Sequence, residues 1–310
     1  MCTALFHRLQ WRTLLLSAAA YLLTGLHADA QAQVAVIGIL EGQATLLRPA
    51  GKLELTEGVV LSAADIVETA PASFMQIEFA DGMRLALGES SRLMLAAVGA
   101  ASAANPTRVR LLQGWMKLTP GTEKPIAGDF LTPLGAIGSL TGVCVLHAQS
   151  EQHALFVESG SITLTQRGGG ARQVKAGEFL AGRGNTELTA SARLGPEFVQ
   201  SMPRLFRDAL PARAAKFRDR PATPRALGAV SYDDVAAWLQ AEEAIRVPLI
   251  DSWRVLLIDK SFHAAVLANL ARHPEWRVLV LPPPKKPVAR PLPAPRAPPP
   301  GPAAASSSPS

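Results

Sequence analysis

The sequence predicts a mainly β protein with a smaller α-helical C-terminal region: a rolled or sandwich-like all-β domain, about three short helices, and a disordered Pro-rich tail. Three observations carry this. From Val34 to about Leu188, short apolar or alternating runs are separated by Gly, Pro, Asp or Ser at the spacing of an all-β domain, without helical periodicity. Within that stretch a pattern recurs, "ILEGQATL" at 39–46, "LLQGWMKL" at 111–118 and "VESGSITL" at 157–164, each with Gly fourth and Leu eighth. It reads as strand, glycine-permitted turn or kink, then strand, in a sheet that bends back on itself. Beyond residue 226 the apolar spacing becomes helical.

Residues 1–32 read as a secretory signal peptide: His7, Arg8 and Arg12 precede an apolar run from Leu14 to Leu26, then Ala28-Asp29-Ala30 and Ala30-Gln31-Ala32 offer small-residue cleavage patterns. The run is short for a membrane span, which needs about 20 residues. Cleavage leaves Cys144 as the one cysteine of the mature chain, so no intramolecular disulfide is expected. The expected location is the periplasm or the exterior.

Residues 33–190 form the expected β domain, and its turn at Asp81-Gly82 shows how register is read. A two-residue loop would oppose Phe79 to Arg84 and Glu78 to Leu85, mixing apolar and charged residues on both faces. A three-residue loop, Ala80-Asp81-Gly82 with Gly82 left-handed, instead pairs Phe79 with Met83, Ile77 with Leu85, Met75 with Leu87 and Glu78 with Arg84. Asp81 and Gly82 are therefore expected to be structural turn residues rather than ligands.

Residues 191–225 are expected to form a basic, Pro-interrupted connector. Phe198, Leu205, Phe206, Leu210 and Phe217 stand among charges, and Pro203, Pro211, Pro221 and Pro224 limit helices to short pieces. The formal charge of +6 is concentrated here and in the tail: residues 193–225 hold 8 basic and 3 acidic side chains, while residues 31–190 hold 12 and 14. Arg204, Arg207, Arg213 and Arg218 are candidates for a basic contact surface toward an anionic envelope polymer or lipid; the plainer reading is solvated arginines on a segment lying across the β domain. An export signal argues against nucleic acid as partner.

Residues 226–281 are expected to be helical. Ser231 with Asp234 makes a capping box ahead of Val235, Trp238, Leu239 and Ile245; Pro248 can open a second helix with Leu249 and Trp253; Ser261 can cap a third with Phe262, Val266 and Leu270. The tryptophans are expected in a core. Residues 282–310 have disordered, polyproline character.

Chemistry is not concentrated anywhere. Cys144 and His147, three apart on one strand, point to opposite faces and cannot share a metal without a bulge. There is no G-x-S-x-G elbow, and "GAIGSLTG" lacks the Gly-Lys-Ser/Thr ending of a phosphate loop. No catalytic residue and no cofactor is expected.

The run "EGVVLSAADIVETAPASFMQIEFADGMRLALGESSRLML" resembles the FecR domain, with Thr69, Phe79, Asp81, Gly82, Leu85, Leu87, Ser91, Leu93 and Leu95 in matching places. "RVRLLQGWMKL", "FLTPLGAIGSLTG", "FVESGSITL" and "VKAGEFL" are similar to later family segments, so the resemblance spans roughly residues 36 to 182. It departs at "LTGVCVLHA", where Gly142 is followed by Val143 rather than Thr and an aromatic strand. About a dozen residues precede the apolar run, too few for the cytoplasmic anti-sigma segment of the regulator that names the family. The resemblance implies an exported β module. The function expected is a non-catalytic FecR-domain protein binding a protein or glycan in the bacterial cell envelope. The alternatives are a membrane-anchored FecR-type signalling regulator and an envelope glycan-active enzyme.

Overall fold

Each of the three recurrent glycines lies where the chain leaves one sheet and enters another. The structure, a computed structural model, describes residues 33–96 and 107–281 except 123, 127, 150, 167, 168, 185, 187 and 192; residues 1–32, expected to be a signal peptide, and residues 282–310, expected to be a disordered tail, lie outside the described residues. In chain order the strands are β1 (Gln33–Glu41), β2 (Ala44–Arg48), β3 (Gly51–Glu54), β4 (Val60–Ser62), β5 (Ile66–Thr69), β6 (Phe74–Phe79), β7 (Arg84–Leu87), β8 (Arg92–Leu95), β9 (Thr107–Thr119), β10 (Asp129–Thr132), β11 (Gly135–Gly138), β12 (Cys144–Ala148), β13 (His153–Val157), β14 (Ser161–Thr165), β15 (Ala171–Lys175), β16 (Phe179–Gly182), β17 (Thr189–Ser191) and β18 (Arg225–Gly228).

They pair into two sheets. Sheet A runs β4-β1-β6-β7-β9-β12-β13-β16-β17. Sheet B runs β18-β3-β2-β5-β8-β9-β10-β11-β14-β15, with β9 and β10 parallel. The long strand β9 belongs to both, pairing β8 and β10 through its first half and β7 and β12 through its second. Gly114 stands at that change, and Gly42 and Gly160 stand at the passages from β1 to β2 and from β13 to β14. All three have positive φ, +103°, +80° and +65° respectively, which a residue with a Cβ adopts only at a cost.

The corners share a second feature. The residue after each glycine donates its N–H to a hydroxyl: Gln43 to Ser73 Oγ at 2.9 Å, Trp115 to Ser91 Oγ at 2.9 Å, and Ser161 to Thr141 Oγ1 at 3.1 Å. A donor turned out of its ladder by the bend is thereby satisfied inside the protein. The eighth-position leucines Leu46, Leu118 and Leu164 are fully buried. They join the core between the sheets, with Ile37, Met75, Leu85, Met116, Phe130, Leu146 and Leu155.

Part of each outer face is covered. On sheet B, Leu47, Ile66 and Met94 pack with Val235, Trp238, Leu239, Trp253, Phe262 and Trp276 of the helical region. The tryptophans are core residues, as the helical spacing predicts. The Ser231 capping box is present. Helical structure is divided more finely than three helices, into Tyr232–Leu239, Glu243–Arg246, Leu249–Trp253, Lys260–Ala268 and Arg277–Val280. Pro248 is the N-cap of Leu249–Trp253 rather than its first residue, a one-residue difference of the kind that helix ends show. The N-cap of Lys260–Ala268 is Asp259, not Ser261: its carboxylate accepts the Phe262 N–H at 2.8 Å, and a negative charge suits a helix N-terminus. No helix among the described residues is long and apolar enough to cross a membrane.

On sheet A the cover is the connector, whose helical pieces are Pro196–Ser201 and the 3₁₀ turns Arg204–Phe206 and Ala214–Phe217. Phe198 and Phe206 pack with Phe74, Trp115, Val145 and Phe179 of the sheet.

Candidate functional site

The outer face of sheet A splits into a clamped half and an open half. In the clamped half, sheet side chains reach connector backbone. Glu78 accepts the N–H of Arg213 at 2.7 and 2.9 Å and of Ala214 at 2.8 Å, and also the Gln76 amide at 2.9 Å. Gln76 donates to the Pro211 carbonyl at 2.9 Å and Arg84 to the Leu210 carbonyl at 2.8 Å. Lys117 donates to the Phe206 carbonyl and pairs with Glu158 at 2.9 Å. A Cβ on Gly38 would fall 2.0 Å from the Glu78 carboxylate, so that glycine leaves the space which Glu78 occupies. The buried carboxylate is thus surrounded by donors, the condition under which burial of a charge is tolerated.

In the open half, beyond β9, a phenylalanine anchors the connector to the sheet. Phe198 is the buried residue of the helix Pro196–Ser201 and tilts onto Trp115 (5.1 Å between centroids) and Phe179 (5.2 Å). The rest of this helix stands away from β12, β13 and β16, leaving a cleft of about 950 Å³. It is lined by His147 of β12 and Ala154 of β13, by Phe179, Ala181 and Gly182 of β16, and by Glu197, Gln200 and Ser201 of the helix. The β12–β13 turn brings in Gln149, Gln152 and His153, and Arg183, Thr186 and Thr189 close the end.

The arrangement follows from strand register. His147 lies directly opposite Trp115 on β9, and directly opposed side chains share a face. The imidazole and indole stack in parallel, 4.1 Å apart at 10°. Burial, assisted by the neighbouring His153, pushes the His147 pKa down to about 4. His147 is therefore a neutral hydrogen-bonding group at ordinary pH. Cys144 points to the opposite face, into the core, as the strand spacing predicts; burial pushes its thiol up to about 12, where it is no nucleophile. Among the described residues no three His, Cys, Asp or Glu are grouped to hold a metal.

The sequence-predicted residues lie elsewhere. Gly82 has φ +83°, in a turn with the three-residue register: Met75↔Leu87, Ile77↔Leu85, Glu78↔Arg84, and the Phe79 N–H to the Met83 carbonyl at 2.9 Å. Asp81 accepts the Met83 N–H at 3.1 Å and also pairs with Arg108 at 2.5 Å. Partial burial raises its pKa, but the Arg108 hydrogen bond, the Met83 N–H and the Arg108 charge outweigh this and hold it below the usual carboxylate value. Arg108 comes from β9, 27 residues away, and no local pattern signals it.

Of the four candidate arginines, Arg207 donates to the Val199 carbonyl at 2.6 Å. Arg213 pairs with Glu57 at 3.3 Å while its backbone N–H serves Glu78. Arg204 and Arg218 are exposed. None of the four lines the cleft. The cleft residues were present in the sequence as the polar run "HAQSEQH", but their far wall, Glu197 to Ser201, comes from the connector.

No curated protein matches this chain. Two crystal structures of a proposed anti-sigma factor from Parabacteroides distasonis are similar at 15% and 14% identity, each with a TM-score of 0.34. Each match covers 41% of this chain and 58% of the other. The family model described as FecR protein matches residues 65–163, from the residue before β5 into β14. The β domain of this chain therefore contains a FecR-type domain, at residues 65–163.

Proposed function

We propose that this is an exported, non-catalytic FecR-domain protein that binds a protein or glycan partner in the bacterial cell envelope. The observation that carries the reading is the open half of sheet A: a cleft of about 950 Å³, of the size and concavity that binding sites use, against a cavity of about 310 Å³ in the clamped half. Its lining supports recognition rather than chemistry. The imidazole at its wall is stacked and held neutral well below ordinary pH, and the nearby thiol is in the core. The signal-like residues 1–32 support export, and the basic connector and tail add contacts to anionic polymer or lipid.

The FecR match supports a second reading, a membrane-anchored signalling regulator. Fractionation with N-terminal sequencing separates the two: a soluble protein beginning after Ala30 or Ala32 supports the first, and an intact N-terminus in the membrane fraction the second. Pull-down from envelope extracts, with and without peptidoglycan, then tests the partner; recovery of nothing beyond background in either extract would sink the binding reading.

A further inference from the structure

We infer that the cleft between β12, β13, β16 and the helix Pro196–Ser201 is a binding site for an uncharged oligosaccharide. The inference deepens the proposed function, on which its biological setting rests, and its evidence is the chemistry of the lining.

The lining supplies what sugar hydroxyls need. Gln149, Gln152 and Gln200 present amides that both donate and accept, and Thr186, Thr189 and Ser201 present hydroxyls. Their own contacts leave capacity. Thr189 donates to the Ala181 carbonyl at 3.1 Å and Ser201 to the Glu197 carbonyl at 2.6 Å, so each oxygen keeps lone pairs for a ligand donor. Ala154, Ala181, Phe179 and Phe198 add apolar surface, suited to the C–H face of a pyranose ring. A cleft near the top of the usual range of about 300 to 1,000 Å³ has room for a short chain rather than a single ring.

Charge argues against an anionic ligand. Among the described residues, formal charge on the lining comes from Arg183 and Glu197, one of each sign, and His147 adds none at ordinary pH. A polyanion would meet no net attraction here, in contrast to the connector, where basic residues outnumber acidic ones 8 to 3 over residues 193–225. Geometry argues against an extended peptide. Peptides that join a sheet need a free edge several residues long. The strand bordering the cleft, β17, spans only the three residues Thr189–Ser191.

The test is calorimetric titration of the full chain with chito-oligosaccharides and malto-oligosaccharides of one to six rings, at 0.05 and 0.5 M salt. The two series distinguish N-acetylated from plain sugars as the source of the shared chemistry. Expected is saturable binding by one series that tightens with length, levels off within six rings, and changes less than twofold with salt. Gln152→Ala and Gln200→Ala, both on exposed side chains, should each weaken it about three- to tenfold, since tenfold corresponds to about 1.4 kcal/mol, with unfolding midpoints unchanged. The inference is overturned if neither series binds, if both variants bind as the parent does, or if a heparin fragment or a decapeptide library occupies the site in their place. These outcomes leave the export result untouched. A protein that binds sugars but is not exported would fail the proposed function alone.

Discussion

The two covers of the β domain differ in kind. Over β2, β5 and β8, sheet B is closed by a second hydrophobic core, with Trp238, Trp253 and Trp276 fully buried together with Leu47, Ile66 and Met94. Sheet A is closed by a strap: two buried phenylalanines, Phe198 and Phe206, and a row of side-chain bonds to connector backbone. A core excludes everything else from the face it covers. A strap holds only where its anchors are, and beside the Phe198 anchor, over β12, β13 and β16, it leaves a cleft. The difference explains why the open site lies on sheet A.

The largest effect should come from the core-type cover. Trp238→Ala removes a fully buried indole and should lower stability in urea by about 4 kcal/mol. Phe206→Ala, also fully buried but in the strap, should cost less, about 3 kcal/mol, because a segment held at few points can close over the gap. If the phenylalanine variant proves the less stable of the two, the ranking of the covers is reversed.

Next is the clamp itself. Glu78→Ala leaves the Arg213 and Ala214 N–H groups without their acceptor and should cost about 2 to 3 kcal/mol. Limited proteolysis sharpens the comparison: residues 196–225 should be cut faster in the variant, whereas residues 232–280 should resist as before. Equal acceleration in both regions would mean that the strap and the helical cover open together.

The same contrast shows what the sequence could and could not display. The corners were legible because each is local: a glycine at the fourth place and a core leucine at the eighth mark the bend within eight residues. Their hydroxyl partners were not, since Ser73, Ser91 and Thr141 lie 20 to 30 residues from the donors they satisfy. The helical cover was legible from periodicity, though Asp259 displaced Ser261 as cap because both fit the spacing and only the fold chooses. The cleft was illegible for a stronger reason. Its walls are a β hairpin at 147–154 and a helix at 196–201 that meet only after the connector has crossed the sheet, and no pattern of residue types encodes that crossing.

A smaller effect concerns the cleft wall. The His147 pKa falls from 6.5 to about 4 on folding, so between those values the unfolded chain binds more protons than the native one. Stability should therefore fall as pH drops from about 6.5 to about 4 and level off below. The ring is partly solvent-facing, which reduces the loss to about 1 kcal/mol. Comparing urea midpoints of the parent and His147→Gln across pH 4 to 7 isolates the contribution; identical pH dependence in the two proteins would show that the imidazole is not held neutral by its setting.

The smallest effect separates the strap's arginines by what each does. Arg213 donates its side chain to Glu57 at 3.3 Å, with both side chains about one-third exposed, and such a pair is worth a few tenths of a kcal/mol, less in high salt. Arg213→Gln should therefore cost about 0.5 kcal/mol at low salt and almost nothing at 0.5 M, since its backbone N–H stays on Glu78. Arg204→Gln and Arg218→Gln replace exposed side chains and should leave the urea midpoint unchanged. Co-sedimentation with anionic liposomes reads the other role. If the connector is a basic contact surface, Arg204→Gln and Arg218→Gln should each reduce retention at low salt without any loss of stability, and Arg213→Gln should reduce it less, because that charge is partly neutralised by Glu57 in the native fold. Retention that is unchanged in all three, with only Arg213→Gln altering stability, would make the strap a purely structural cover and leave the cleft as the part of sheet A that meets a partner.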